Sequence, residues 1–318
     1  MEKKIAIIDM GTNTFHLLIA EADRLGYHIT YRERLAVKIG KDGINNGIIT
    51  DQGQHRALLA MQSFRNTIDQ QQVGRVYAFG TSALRNAANG EEVVNRIKEI
   101  TGIEATIISG DLEAEYICMG ARAAMDISEK SLIMDIGGGS VEFIISDNDR
   151  IYWKRSLEIG AQRLLEQFQK SDPITPEEVT ALDQHFAETL KPLFEALEKF
   201  NPHILIGSSG TFDTLSDIFC ITHDIHKAPE EIETPLSLDG FYEIYDDLLH
   251  KTRAQRLQIP GMIEMRVDMI VVASCLIRYV LSKHAFNRIR VSTYSLKEGV
   301  LATLIREITP SGTVSVQP

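Results

Sequence analysis

A chain of 318 residues exceeds the size at which one hydrophobic core keeps growing, so two domains are expected. Its 44% apolar and 24% charged residues exclude a disordered or fibrous protein, and a net charge of −11 argues against nucleic-acid or anionic-membrane partners. Cys118, Cys220 and Cys275 show no C-x-x-C spacing, which suits a reducing cytoplasm. The apolar run 5–8 is too short for a leader or a membrane span, so a soluble protein is expected.

In chain order, residues 4–8 predict a strand, 9–14 a turn, 15–20 a second strand and 27–34 a third. Apolar spacing over 50–72 predicts a helix capped by Thr50 or Asp51, followed by a strand at 76–79, a helix at 90–100 and a strand at 105–108. A helix is expected over 113–125, and 131–145 repeats the opening theme of strand, glycine turn and strand. Thr175 as N-cap and Pro176 at the first helical position open a helix expected to reach about residue 200. An apolar run at 204–206 leads into a third glycine turn at 207–211 and a helix over 212–219. Further helices are expected at 239–251, 263–283 and 296–307, with 309–318 a frayed tail. The domain boundary is placed near Gly120, giving 1–120 and 121–318, with the last helix free to cross back to the first domain.

The two turns Asp9-Met-Gly-Thr-Asn-Thr14 and Asp135-Ile-Gly-Gly-Gly-Ser140 both fit D-x-G-x-x-[ST] between apolar strands, which suggests duplicated halves. Either turn alone would serve as an ordinary hairpin closure. Two copies, with Gly207-Ser-Ser-Gly-Thr211 as a third, point instead to backbone amides gathered around an anion, since glycine brings no side chain into the way. The hydroxyls of Thr12, Thr14, Ser140, Ser208, Ser209 and Thr211 add donors. Asp9 and Asp135 would repel a phosphate unless a cation sat between, and magnesium (or manganese) meets that need. Neither a P-loop, a dinucleotide fingerprint nor a nucleophile elbow is present. His223 and His226 read as a surface pair without a third metal ligand. Arg253, Arg256, Arg266, Arg278, Arg288 and Arg290 make the late chain basic, either as a groove for an anionic substrate or as scattered solvated side chains.

Five strings resemble the exopolyphosphatase and guanosine pentaphosphate phosphohydrolase family, within the sugar kinase, heat-shock chaperone and actin superfamily. They are Ile8-Asp-Met-Gly-Thr-Asn-Thr-Phe-His16, Gly80-Thr-Ser-Ala-Leu-Arg85, Ile108-Ser-Gly-Asp-Leu-Glu-Ala114, Asp135-Ile-Gly-Gly-Gly-Ser-Val-Glu142 and Leu296-Lys-Glu-Gly-Val-Leu301. The resemblance implies an α/β protein of two ribonuclease H-like, actin-like domains with the active site in the cleft between them. It implies hydrolysis of a terminal phosphoanhydride bond, with polyphosphate or guanosine pentaphosphate as substrate, in a cytoplasmic homodimer.

By the same resemblance Glu113 is the catalytic glutamate that orients and deprotonates water, and Arg85 contacts the substrate phosphate, where a guanidinium would stabilise developing charge. Asp9, Asp135 and Glu142 are assigned to the metal. Gly11, Asn13, Gly137, Gly138, Gly139, Gly210 and Arg266 join the hydroxyl residues in holding phosphate. Residue 318 stops short of the C-terminal HD extension of larger members, which argues against processive handling of very long chains. A small-molecule kinase and a non-catalytic phosphate-chain or nucleotide sensor of the same fold remain the alternatives.

Overall fold

The computed structural model describes residues 4–22, 27–228 and 230–308. The first half runs β1 (Lys4–Met10), β2 (Thr14–Ala22), β3 (Tyr27–Ala36), a 3-10 turn at Ile44–Asn46, α1 (Asp51–Gln70), β4 (Arg75–Gly80), α2 (Ser82–Asn86), α3 (Gly90–Thr101), β5 (Ala105–Ile107) and α4 (Gly110–Ala124). The second runs β6 (Ser131–Ile136), β7 (Val141–Ser146), β8 (Ile151–Leu157), α5 (Ala161–Phe168), α6 (Pro176–Thr189), α7 (Lys191–Phe200), β9 (Ile204–Ser208) and α8 (Ser209–Thr222). It continues through β10 (Glu233–Thr234), α9 (Leu238–His250), α10 (Arg253–Arg256), α11 (Ile270–Lys283), β11 (Arg288–Ser292) and α12 (Leu296–Ile308).

The first sheet has the order β3-β2-β1-β4-β5, and the second β10-β11-β9-β6-β7-β8. In both, the opening strand pairs antiparallel with the next and parallel with a later strand that follows helix. Read from β8, the second sheet repeats the first strand for strand, with β10 added at its edge. The duplication implied by the two glycine turns is therefore a duplication of topology.

Period-2 alternation sorts each strand's residues between two cores. Ile5 and Ile7 of β1, with Leu18 of β2, face a core shared with Ile133, Ile144 and Ile206 of the second sheet, built around α4 and α12. Ala6, Ile8, Leu17 and Ile19 face the opposite way, onto α1 and α3. Leu132, Met134, Phe143 and Leu205 likewise pack outward against the helices of the second half. The two sheets thus enclose α4 and α12. These helices cross at glycines: a Cβ on Gly120 would lie 2.2 Å from the Ser295 carbonyl oxygen, and one on Gly299 1.7 Å from that of Tyr116. Gly120, the expected boundary, lies inside α4.

Several sequence expectations change. The helix expected over 176–200 is broken at Leu190, because Pro192 has no amide to donate and its ring disfavours a continuous helix. Its N-terminus forms as expected, with Thr175 and Glu178 in a reciprocal capping box. The helix expected from 263 starts at Ile270. The strands β8 and β11 and the helix α5 were not expected from the sequence; β8 is an edge strand carrying Lys154 and Arg155, which weakens its apolar signal. The expected tail at 309–318 lies outside the described residues.

Candidate active site

The duplicated turns close identically. In the first, the Gly11 amide donates to the Thr14 carbonyl at 3.1 Å; in the second, Gly137 donates to Ser140 at 3.1 Å. Loop carbonyls are then drawn outward. The Val37 and Lys38 amides take the Asn13 carbonyl, Gly40 takes that of Thr12, and the amides of Gly160, Ala161 and Gln162 at the start of α5 take those of Gly139, Gly137 and Gly138. With their carbonyls satisfied behind, the loops keep the amides of Thr12, Asn13, Gly138 and Gly139 without a backbone acceptor among the described residues, available to an anion. The loops also touch: a Cβ on Gly138 would lie 2.3 Å from Asn13 Nδ2, and one on Gly139 2.4 Å from Ser82 Oγ and 2.6 Å from Thr12 Oγ1.

Between them lies a cavity of about 110 Å³. Of the residues assigned from sequence, Asp9, Gly11, Thr12, Asn13, Thr14, Glu113, Asp135, Gly137, Gly138, Gly139, Ser140, Glu142, Ser209, Gly210 and Arg266 line it. Three do not. Ser208 is buried behind the wall, with its hydroxyl on Asp135 Oδ2 at 3.0 Å. Thr211 is buried in the first turn of α8. Arg85 stands one step back, its Nη1 donating to Glu113 Oε2 at 2.8 Å and to the Ile108 carbonyl at 3.1 Å, and its Nη2 to Glu158 Oε1 at 3.3 Å. In this geometry Arg85 holds the glutamate instead of touching a phosphate.

Each carboxylate is positioned by its strand or helix. Asp135, on β6, pairs in register with Glu142 on β7 and Ser208 on β9. The hydroxyls of Ser208, Ser209 and Ser295 all donate to Asp135 Oδ2, at 3.0, 2.6 and 2.7 Å. Among the described residues none donates to Oδ1. Glu142 accepts on Oε1 from Ser140 at 2.7 Å and Ser156 at 2.6 Å. Glu113 sits in the first turn of α4, whose N-cap Ser109 accepts from the Leu112 amide.

Four carboxylates in a closed space are poorly hydrated. Burial, opposed by Lys297 and reinforced by Asp135, lifts Asp9 to about 7. Burial lifts Glu113 to about 8 against the pull of Arg85, and Glu142 rises well above its ordinary value through burial and the charges of Glu113 and Asp135. This donor set, oxygen-only and short of positive charge, fits a hard divalent cation. Among the described residues no three His, Cys, Asp or Glu side chains close on one ion. Asp9, Asp135 and Glu142 therefore surround the cavity without forming a complete cage, as expected of an ion that completes its shell with water and phosphate oxygens.

His16, Arg34, Ser82, Asp213, Ser295 and Lys297 also line the cavity and had no role in the sequence reading. Register would have found two of them, since Asp9 pairs with His16 and His16 with Arg34 across the first sheet. Burial holds His16 well below its ordinary value, with Lys297, Arg266 and Arg34 adding to the effect.

The late basic stretch is not a groove. Arg253 pairs with Asp268, Arg278 with Asp183, Arg288 with Glu129 and Arg290 with Glu233, while Arg256 is buried against Asp172. Only Arg266 of the six reaches the cavity. His223 stacks on Phe219 with ring centres 4.4 Å apart and faces Glu243.

The fold recurs in known proteins. The crystal structure of an exopolyphosphatase from Cytophaga hutchinsonii superposes with a TM-score of 0.93 at 45% identity, covering 96% of this chain and 98% of that one. A putative exopolyphosphatase of Haemophilus influenzae is 26% identical over 302 residues, 95% of this chain and 91% of that protein. Exopolyphosphatase 1 of Mycobacterium tuberculosis is 25% identical over 94% of this chain and 87% of its own length. The model of the Ppx/GppA phosphatase family matches residues 18–307, and with the paired glycine loops of the actin-like fold in place, the chain belongs to that family.

Proposed function

We propose that this chain is an exopolyphosphatase that hydrolyses the terminal phosphoanhydride bond of inorganic polyphosphate and releases orthophosphate. One observation carries the reading: both amide loops and Glu113 meet at a single small cavity between the domains. The family match and the names of the relatives support it.

Phosphoryl transfer asks for alignment and charge stabilisation more than covalent chemistry. The amides of Thr12, Asn13, Gly138 and Gly139, which the turn-closing bonds of Gly11 and Gly137 leave available, bind the oxygens of the terminal phosphoryl group, with Arg266 beside them. A magnesium (or manganese) ion held by Asp9 and Asp135 would neutralise those oxygens when bound. Asp135 is pre-set for this by three serine hydroxyls on Oδ2. A water oxygen attacks the terminal phosphorus, its proton passes to Glu113 in the ionised form that prevails above about pH 8, and the bridging P–O bond breaks with its electron pair leaving on the shortened chain. Arg85 keeps the Glu113 carboxyl in place.

The family likeness also carries the expectation of a cytoplasmic homodimer. The cysteines are free and buried, which suits a reducing compartment. No helix among the described residues is long and apolar enough to cross a membrane.

Phosphate release from polyphosphate, guanosine pentaphosphate and ATP, each with magnesium and with chelator, tests the proposal. Metal-dependent release fastest from polyphosphate is expected. Release confined to guanosine pentaphosphate would replace the substrate, transfer to an added acceptor would make the chain a kinase, and binding without turnover would make it a sensor.

A further inference from the structure

Resting on that reading, we propose that polyphosphate enters with one fixed polarity: its terminal phosphate against the carboxylates and its next phosphates over Arg34 and Lys297, into a neighbouring groove.

The first observation is a break in the internal symmetry. In the second domain the cross-strand row reads Asp135, Glu142, Ser156, two acids and a hydroxyl. The equivalent row in the first domain reads Asp9, His16, Arg34. Residues opposite one another across a sheet share a face, so this row leads from a carboxylate through an imidazole to a guanidinium. The cavity is therefore acidic at one end and cationic at the other.

The second observation is where the cationic end leads. A groove of about 650 Å³ adjoins the cavity, and the two share His16, Arg34, Asp213, Thr293 and Lys297. These residues form a neck. The opposite side is bridged by hydrogen bonds between the domains: Ser82 donates to Glu158 at 2.6 Å, Arg163, which also holds the Gly139 carbonyl of its own domain, to the Ile44 carbonyl at 2.9 Å, and the Asp42 amide to Glu166 at 3.0 Å. A chain whose end reaches Glu113 has the neck as its route out.

The third observation is which charges are free. The groove carries acids: Asp217 is paired with Lys227 at 2.6 Å, while Glu33, Glu230 and Glu231 line the groove without belonging to the neck that it shares with the cavity. Glu298 takes the Ser295 amide on Oε2 at 3.0 Å, while its Oε1 lies 3.2 Å from Lys297, which leaves that ammonium two further donors. Among the described residues Arg34 and Arg266 have no ion pair, and the buried Arg266 Nε has no partner at all. Asp213, in the neck, has a buried oxygen without a partner and is the acid that answers these cations. A phosphate arriving there meets unspent donors.

The test uses the Glu113→Gln chain, so that bound phosphates persist, with magnesium present. Affinities for tripolyphosphate and orthophosphate are measured by calorimetry. Adding Arg34→Gln is expected to weaken tripolyphosphate roughly tenfold, the scale of one charge-assisted hydrogen bond, and orthophosphate less than about twofold. Arg34→Lys recovers part of the loss, and Lys297→Gln repeats the pattern. Arg96→Gln, the same charge change on a remote exposed part of α3, is expected to alter neither. Equal losses for both ligands, no loss for tripolyphosphate, or the same loss from Arg96→Gln would overturn the polarity. If the parent released no phosphate from polyphosphate yet showed the Arg34 pattern, the hydrolase reading would fall and the polarity would stand.

Discussion

Replacing Gly139 by alanine drives a methyl group between the two phosphate loops. Its Cβ would lie 2.4 Å from Ser82 Oγ and 2.6 Å from Thr12 Oγ1, about 1 Å short of ordinary van der Waals contact at 3.4 Å. Neither neighbour can step aside freely. Ser82 and Thr12 are 2% and 4% exposed, and Ser82 Oγ is held on Glu158 at 2.6 Å. The domains must part by about the missing distance. Overpacking of this kind destabilises by ~1–3 kcal/mol, and a ~1 Å displacement of catalytic groups lowers a rate by about 100-fold. We therefore expect kcat/KM for phosphate release from polyphosphate to fall by about two orders of magnitude, with a loss of several degrees in Tm. Gly102→Ala separates the two effects. That Cβ meets nothing within 4 Å, but φ is +68°, so ~1–2 kcal/mol of stability should go with no loss of rate. A Gly139→Ala enzyme as fast as the parent would show that the loops are not held together in the working enzyme.

Other predictions follow from single contacts. Ser295→Ala removes one of three hydroxyls on Asp135 Oδ2, a bond to a charged group worth ~1.5–3 kcal/mol; a magnesium titration of phosphate release should shift to higher concentration by roughly tenfold or more, and an unmoved titration would mean the serines do not orient Asp135. Arg256 is 2% exposed and donates to the Lys251 and Val267 carbonyls, so Arg256→Met should lose ~2–4 kcal/mol in urea unfolding; a loss under ~0.5 kcal/mol would contradict its structural role. Burial, opposed by Lys227, Lys297 and Arg266, lifts Asp213 from 3.8 to about 6. The folded chain then holds this proton more tightly than the unfolded one, so stability falls as pH rises from about 4 to about 6 and stays lower above that. Asp213→Asn should remove that slope and gain up to ~3 kcal/mol at neutral pH; an unchanged slope between pH 4 and 6 would refute the assignment.

The paired turns were legible because glycine, aspartate and hydroxyl residues recur at one spacing between apolar strands, and that spacing also announced the duplicated topology. Asp9, Glu113, Asp135 and Glu142 followed from chemistry and family strings, and they do meet. Arg85 shows the limit: its string marks it as important, but only the fold shows its guanidinium spent on Glu113 and Glu158. Register decided the rest. His16 and Arg34 enter the cavity because β1, β2 and β3 align them with Asp9, a pairing that no local pattern encodes. Ser295 and Lys297 arrive from the far end of the chain, carried in by the return of α12 between the sheets. The late arginines read as a basic stretch because sequence proximity hides their partners, such as Asp183 and Glu233, on distant elements.

Glu113→Gln, compared with the parent in single-turnover phosphate release from polyphosphate at saturating magnesium, tests the central claim most directly. The amide keeps the shape of the side chain and removes its capacity to take a proton, so release should slow by ~10²–10⁴-fold while polyphosphate still binds. Release at the parental rate would remove Glu113 from the chemistry, and with it the assignment of this cavity as the place where water attacks the terminal phosphate.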